Sequence, residues 1–359
     1  MSSYNRVLNS NEDLEMKTVI GVDIGYGFTK FTQNKSNGPS FDKFPSFARL
    51  CKGSSDRFDF FHNNSQLDTV FVNIQDSIFE VGHDIALSLD THHIRQPSDQ
   101  FSKSSQYHAM AGGALAYIGI KHIDLLVLGL PVSIMSNRNV DRITNSFEGT
   151  WQVTKDFEAT VDSVWVLPQP LGSYFYYAFG PNTINNSQSL NDQNTCIIDV
   201  GHFTLDWWVT RGIKAMRERC GSSSGGMHRL ISHISAQICE DFEIENLSES
   251  HLCDSLTKGR HLKLGSQIIN LSKYIKSCEA IIADSLTPLR GKLGNAEDIE
   301  KIIVAGGGAS LFAPIIKTIF KHHKIEILPD AQFSNVIGFQ LAGEQRVKSL
   351  SDKNERETA

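Results

Sequence analysis

The sequence is short of several features that would place it at once. Its six cysteines, at 51, 196, 220, 239, 253 and 278, form no C-x-x-C pair. Cys196 falls in an apolar run, and Cys239 and Cys278 fall in helix-like segments. Scattered thiols of this kind fit a reduced protein in a reducing cytoplasm. No stretch approaches the ~18 apolar residues of a membrane span, and the opening "MSSYNRVLNSNEDLEMK" has no signal-peptide core. A soluble, cytoplasmic protein with no membrane partner is expected. Basic residues are in deficit, 34 against 40 acidic, for a net charge of −6. That argues against coating nucleic acid directly, because phosphate neutralisation needs an excess of lysine and arginine. The Walker pattern G-x-x-x-x-G-K-[ST] is missing, and G-x-G-x-x-G fails at position 30, which is Lys.

What is present is an ordinary globular composition over 359 residues. That length is too great for one simple core and suggests two domains. Apolar strand-like runs recur at 18–22, 69–73, 123–130, 163–167, 196–200, 205–210, 301–305 and 324–328. The runs at 123, 196 and 301 are apolar throughout, as in strands buried on both faces. Helix-like segments fall at 103–120, 137–147, 171–179, 224–241, 249–258, 264–290, 309–322 and 333–346. This alternation predicts an α/β architecture with parallel sheets and crossover helices. Residues 1–16 and 347–359 read as disordered tails. The polar stretch "PNTINNSQSLNDQN", 181–194, reads as a loop between two halves.

Each half carries the same device, an apolar strand that ends in Asp and turns through glycine. The first copy is "VIGVDIGYGFTKF". Here Gly25 and Gly27, flanking Tyr26, let backbone N–H groups approach a ligand and form an anion nest. Lys30 adds a point charge for phosphate. A carboxylate, Asp23, cannot touch phosphate directly, but it makes sense with Mg²⁺ and its waters in between. The same pattern also fits a plain β-hairpin turn. The second copy is "CIIDVGHFTLD". Asp199 ends the strand, and Gly201 and the Thr204 hydroxyl can reach terminal phosphates from the opposite side. His202 is read as a packing or surface residue rather than an acid or base. In "IIVAGGGASLFAPIIK", Gly306, Gly307 and Gly308 form a corner that admits a flat ring. In "RCGSSSGGMHRL", Gly225 belongs to a Gly/Ser turn entering a helix whose N-terminus can face phosphate or ribose, or is simply a flexible surface turn. Gln169 stands at a strand–helix junction in "VLPQPLG", where a Gln can orient an attacking water.

These pieces, in this order, resemble the actin-like ATPase superfamily, which includes actin, the bacterial actins, DnaK-type chaperones and sugar kinases. Asp23 to Lys30 is similar to its first phosphate loop, and Asp199 to Asp206 to its second. Pro168 to Gly172 looks like the first connecting helix, and Gly306 to Ser310 like the adenosine motif. "FSNVIGFQLAG", 333–343, looks like the second connecting helix, with Asn335 and Gly338 at its small-residue positions. "KFPSFARL", "IFEVGHDIA" and "LVLGLPVS" are similar to segments of the plasmid-segregation actins of the ParM/StbA type. His202 and Asp206 depart from the usual second loop.

The resemblance implies two related α/β domains, 17–180 and 181–332, flanking a nucleotide cleft, with helix 333–346 returning to the first. It implies ATP or GTP with Mg²⁺ as ligands, and Asp23 and Asp199 holding the metal through water. It also implies Gln169, Asp199 and Asp23 as the catalytic set. Self-assembly into filaments for plasmid segregation would follow, through a DNA-binding adaptor and without direct nucleic-acid contact. The rivals are a non-polymerising nucleotide switch or scaffold, and a small-molecule kinase of the same fold.

Overall fold

The computed structural model describes residues 17–35, 38–51, 67–88, 100–181 and 192–358. The expected N-terminal tail and most of the 181–194 loop lie outside them.

The N-terminal half starts with β1 (Val19–Ile24), β2 (Phe28–Lys35) and β3 (Gly38–Pro45). A small sheet follows, of β4 (Arg49–Cys51), β5 (Thr69–Ile74) and β6 (Ser77–Gly82), in the order β4-β6-β5. Helix α1 (Ser105–Ile118) leads to β7 (His122–Leu130), and α2 (Asn137–Phe147) to β8 (Gly149–Gln152) and β9 (Glu158–Pro168). The main sheet has the order β3-β2-β1-β7-β9-β8. Helix α1 is well bounded: the Ser104 hydroxyl caps its start by accepting from Tyr107 N–H, and Gly119 closes it with φ 69°.

After helix α3 (Gln169–Phe179) the pattern repeats. The strands are β10 (Asn194–Val200), β11 (Leu205–Arg211), β12 (Lys214–Ala215) and β13 (Gly221–Ser223). Then come α4 (Met227–Asp241), α5 (Glu249–Thr257), and a hairpin of β14 (Leu262–Leu264) and β15 (Gln267–Ile269). Three short helices, α6 (Ser272–Ser277), α7 (Glu279–Ser285) and α8 (Thr287–Leu293), precede β16 (Lys301–Ala305), α9 (Ala309–Ile319) and β17 (Lys324–Ile327). The second sheet runs β12-β11-β10-β16-β17, with β13 added on β11. Both sheets therefore share one plan: an antiparallel hairpin forms one side, and parallel strands join its first member. The sheets are mixed rather than parallel throughout.

The final helix, α10 (Ser334–Thr358), and α3 form the layer between the two sheets. On one side Phe339, Ala342 and Phe175 pack with Val19, Leu125 and Val127 of the first sheet. On the other, Tyr174, Tyr177 and Ile337 pack with Ile197 and Ile303 of the second. The two helices cross at Gly172 and Gly338, where a Cβ on Gly338 would collide with the Gly172 carbonyl oxygen. Gly21 and Gly129 make room for α10 in the same way, against Val336 and Phe339.

Two sequence expectations need correction. The segment 264–290 is not one helix. Its apolar spacing is interrupted by a turn at Gly265, with φ 58°, and its periodicity is shared among α6, α7 and α8 packing on one core. The segment 347–358 is helical rather than a disordered tail. No Pro or Gly follows Gly343 to stop α10, half of the segment is Lys, Leu, Glu and Arg, which favour helix, and Val347 packs beside Phe339. Among the described residues no helix is long and apolar enough to cross a membrane.

Candidate functional site

The two Asp-ended strands place their hairpin tips face to face. In β1/β2, Asp23 lies opposite Lys30, and Gly25 N–H donates to the Phe28 carbonyl at 3.1 Å. In β10/β11, Asp199 lies opposite Asp206, and Gly201 N–H donates to the Thr204 carbonyl at 2.9 Å. The plain hairpin is thus the local structure of both copies. What distinguishes them from ordinary turns is that they confront one another. Tyr26 stacks on Phe101 at 4.6 Å between ring centroids and meets Phe203 edge-on at 5.1 Å. A Cβ on Gly27 would lie 3.2 Å from the Cβ of His202. His202 is packed here, at the mouth of the second loop, against Phe203 and His228.

A cleft open to solvent lies between the loops. Asp23, Gly25, Tyr26, Gly27 and Lys30 line it from the first domain, together with Gln169. Asp199, Gly201, Thr204, Gly306 and Gly307 line it from the second. Gly308 and Gly225 do not. Gly308 is packed against Val200 and Met227, and Gly225 against Ser285. The N-terminus of α4 is also committed. Gly226, Met227 and His228 donate their N–H groups to the carbonyls of Phe203, Gly201 and His202, at 3.0, 3.0 and 2.7 Å. These bonds brace the second loop and leave those donors unavailable to a ligand.

The site is rich in buried carboxylates. Asp23, 1% exposed, accepts from Lys30 Nζ at 2.7 Å and from Gln169 Nε2 at 2.7 Å. Lys30 therefore pairs first with Asp23, at the cleft wall. Asp199, 6% exposed, accepts from Asn335 Nδ2 at 2.7 Å, and Asn335 in turn accepts from the Ser173 hydroxyl at 2.5 Å. Burial pushes the Asp199 carboxyl up to about 7; the Asn335 bond opposes that shift and the neighbouring Asp206 adds to it. Asp206 is buried as well, and desolvation raises it despite bonds from Thr204, Val132 and Ser222. Gly306 has φ 84°, and a side chain there would strike the Asp199 carboxylate and the Val200 carbonyl. Gly307 faces open space with only Gln332 within 4 Å, as a flat ligand would require.

Three features escaped the sequence. The Asn335 bond to Asp199 had a faint signal, an amide on an apolar helix face. Asp206 Oδ1 accepts from Val132 N–H at 2.8 Å, joining the second domain to the first. Lys43 Nζ reaches Gln332 Oε1 at 2.5 Å and stands over the Phe28 ring at 4.3 Å. Burial, then the Lys30 and Lys258 charges, lower its pKa to about 8. Both cross-cleft contacts depend on how two separate sheets meet, which no local pattern encodes.

Among the described residues, no group of three or more His, Cys, Asp or Glu side chains is placed to chelate a metal. Two buried carboxylates on opposite walls do fit a hard cation that keeps its waters, as Mg²⁺ does.

Two sheets of one topology, two facing hairpins and two crossed helices between them define a two-domain actin-like α/β fold. Residues 21–172 match the family of actin-like proteins, N-terminal domain, and residues 197–318 match the C-terminal domain of MreB-like archaeal actin homologues. The chain belongs to the actin-like superfamily. Similar solved structures include the actin-like protein Alp7A, with TM-score 0.74, 14% identity, and 94% of this chain and 99% of that one covered. Ta0583, an archaeal actin homolog in complex with ADP, gives 0.70 at 18% identity, covering 91% and 99%. A 15-stranded ParM filament from Clostridium botulinum gives 0.67 at 20%, covering 92% and 99%. No curated protein matches the chain.

Proposed function

We propose that the protein is a nucleoside triphosphatase that binds MgATP or MgGTP between its domains and assembles into dynamic filaments, in the service of plasmid DNA segregation. The observation that carries this reading is the pair of Asp-ended hairpins, one per domain, closing on a single cleft. Two phosphate-facing turns on opposite walls make cleft closure depend on the terminal phosphate.

Gly25 and Gly201, whose own N–H groups close the two hairpins onto Phe28 and Thr204, make the tight turns, and the N–H of Gly27 is left to face the phosphates, with Thr204 and Lys30 beside it. Gly306 and Gly307 form the open corner for the base or ribose. Asp23 and Asp199 would hold a hydrated Mg²⁺, whose charge when bound offsets that of the phosphates. Gln169 donates its amide N–H to Asp23, which fixes the side chain and turns its carbonyl toward the cleft. That carbonyl accepts a hydrogen bond from the attacking water, whose oxygen forms the new bond to the γ-phosphorus while its protons pass to the phosphate oxygens and solvent. The bond to the bridging β-phosphate oxygen breaks, giving the diphosphate and inorganic phosphate. Catalysis of this kind is positioning and charge stabilisation.

The ADP complex of Ta0583 and the filament of the ParM relative support nucleotide binding and self-assembly here. A head-to-tail contact between copies gives an open filament. The net charge of −6 suits a basic adaptor as the link to DNA better than direct contact. Right-angle light scattering at several micromolar protein tests the reading. A rise on adding MgATP that decays as nucleotide is consumed is the expected trace. A flat trace together with undiminished phosphate release would remove the filament and leave a nucleotide switch.

A further inference from the structure

Gln332 stands beside the open glycine corner of the cleft. The residue before it, Ala331, accepts through its carbonyl from Gly306 N–H at 2.9 Å and from the Ser334 hydroxyl at 2.8 Å, which pins this stretch of backbone against the corner. The Gln332 side chain lines the cleft. Among the described residues beyond its chain neighbours, only Gln332 comes within 4 Å of a Cβ placed on Gly307, with Nε2 at 3.7 Å and Cγ at 3.9 Å. A flat ring resting on Gly307 therefore has this amide at its edge.

The two ends of the amide are not equivalent. Its Oε1 accepts from Lys43 Nζ at 2.5 Å. An ammonium has donors only, so the oxygen must face it and the amide cannot turn round. Lys43 is steadied in turn by the rings of Phe28 and Phe333, whose centroids lie 4.3 and 5.5 Å from Nζ. Nε2 donates to no described residue. The corner thus offers a base an N–H and withholds the carbonyl. A glutamine with both ends free pairs with adenine, donating to N7 and accepting from the N6 amino group. Lys43 closes that pairing by occupying the acceptor. Guanine carries two acceptors, O6 and N7, on the same edge and leaves no donor stranded there.

We infer that Gln332, its amide fixed by Lys43, is the specificity-determining residue of the cleft and selects guanine over adenine. The inference rests on the nucleotide-binding reading above and names the base. Lys43 is a positioning residue: it sets which end of Gln332 the base meets.

The test is competition by unlabelled GTP, ATP and inosine triphosphate, each with Mg²⁺, against a GTP analogue carrying a fluorophore on its ribose. The wild-type chain should bind GTP roughly tenfold more tightly than ATP. Inosine triphosphate keeps O6 and N7 and lacks the 2-amino group, so it should compete as GTP does. Gln332→Ala should bring the GTP to ATP ratio close to one, chiefly by weakening GTP. Lys43→Met frees Oε1 and should move the ratio toward ATP by tightening ATP. Thermal midpoints verify that both variants fold, and the wild-type ratio and the inosine competitor need no variant. Four results would each overturn the inference and leave nucleotide binding standing: ATP bound as tightly as GTP, inosine triphosphate competing only as ATP does, an unchanged ratio in Gln332→Ala, or equal losses for both nucleotides in Lys43→Met. A wild-type chain that binds none of the nucleotides would overturn the nucleotide-binding reading itself.

Discussion

At the scale of single residues, the site is set by where a buried charge is tolerated. Asp23 is answered by Lys30 and Gln169, whereas Asp199 has only an amide, from Asn335, and a second acid, Asp206, beside it. The raised Asp199 carboxyl has a thermodynamic consequence. Its folded pKa, about 7, exceeds the ordinary value of 3.8, so the folded state binds the extra proton between those two pH values. Its contribution to stability is therefore present at low pH and is lost as pH rises through 7. Asp199→Asn should leave the thermal midpoint of the nucleotide-free protein almost unchanged only below the ordinary value, at about pH 3.5; by pH 5 the unfolded chain has released the proton that the folded one keeps, and the variant should already gain on the order of 1–2 kcal/mol. At pH 8 it should raise stability by an amount on the order of 3–4 kcal/mol at most. Equal midpoints of variant and parent at pH 8 would show that the carboxylate is not strained there. Gln169→Ala acts on a different quantity. With the side chain proposed to orient the water gone, kcat should fall roughly 100-fold while the nucleotide affinity holds. A phosphate-release assay beside a binding titration separates the two.

At the scale of elements, the decisive contact is the crossing of α3 and α10. Gly172 and Gly338 let two backbones approach so closely that α10 carries Asn335 to within 2.7 Å of Asp199. The same crossing seats Ser173 against both Asn335 and Ser334. The helix pair is consequently both the layer between the sheets and the support of the second-domain carboxylate. Gly338→Ala must push the helices apart, at a cost of roughly 1–3 kcal/mol from overpacking. It should lower the thermal midpoint and also weaken Mg-dependent hydrolysis, because Asn335 moves with the backbone. Gly291→Ala, in open space on α8, is the matched control: it should raise the midpoint slightly, by roughly 0.5–1 kcal/mol of helix propensity, and leave hydrolysis unchanged. Chemical denaturation of the two variants in parallel would reveal whether the crossing matters more than glycine content.

At the scale of the whole molecule, two polar contacts span the cleft, Asp206 to Val132 N–H and Lys43 to Gln332. Both are bonds between domains, and both tie the two walls of the cleft together. Asp206→Ala removes a bond to a charged acceptor and leaves Val132 N–H without it. The domains should then open, and small-angle X-ray scattering of the nucleotide-free variant should give a larger radius of gyration than the parent. An unchanged radius would mean that α3 and α10 alone set the cleft angle.

The sequence by itself determined much of this protein. The apolar runs at 123, 196 and 301 fit central strands buried on both faces, and they form β7, β10 and β16. The chain also announced its duplicated device, since a strand that must end in a carboxylate and reverse through glycine leaves little conformational choice. Local patterns fixed these because their causes are local: side-chain burial along one strand, and the backbone freedom of one turn. They were silent where the cause lies elsewhere. The strands β2, β3 and β6 carry mixed polar and apolar residues, and only pairing with a neighbour makes them strands. The segment 264–290 looked like one helix because a shared core imposes the same apolar spacing on three short ones. Tertiary structure alone decided that Asp199 faces Asn335, that Lys30 pairs with Asp23, that Gly225 and Gly308 lie outside the cleft lining, and that Tyr107 lies within it. Each of those facts depends on the relative placement of residues far apart in the chain. Such placement is fixed by how whole faces of sheet and helix exclude water together, not by any one stretch of sequence.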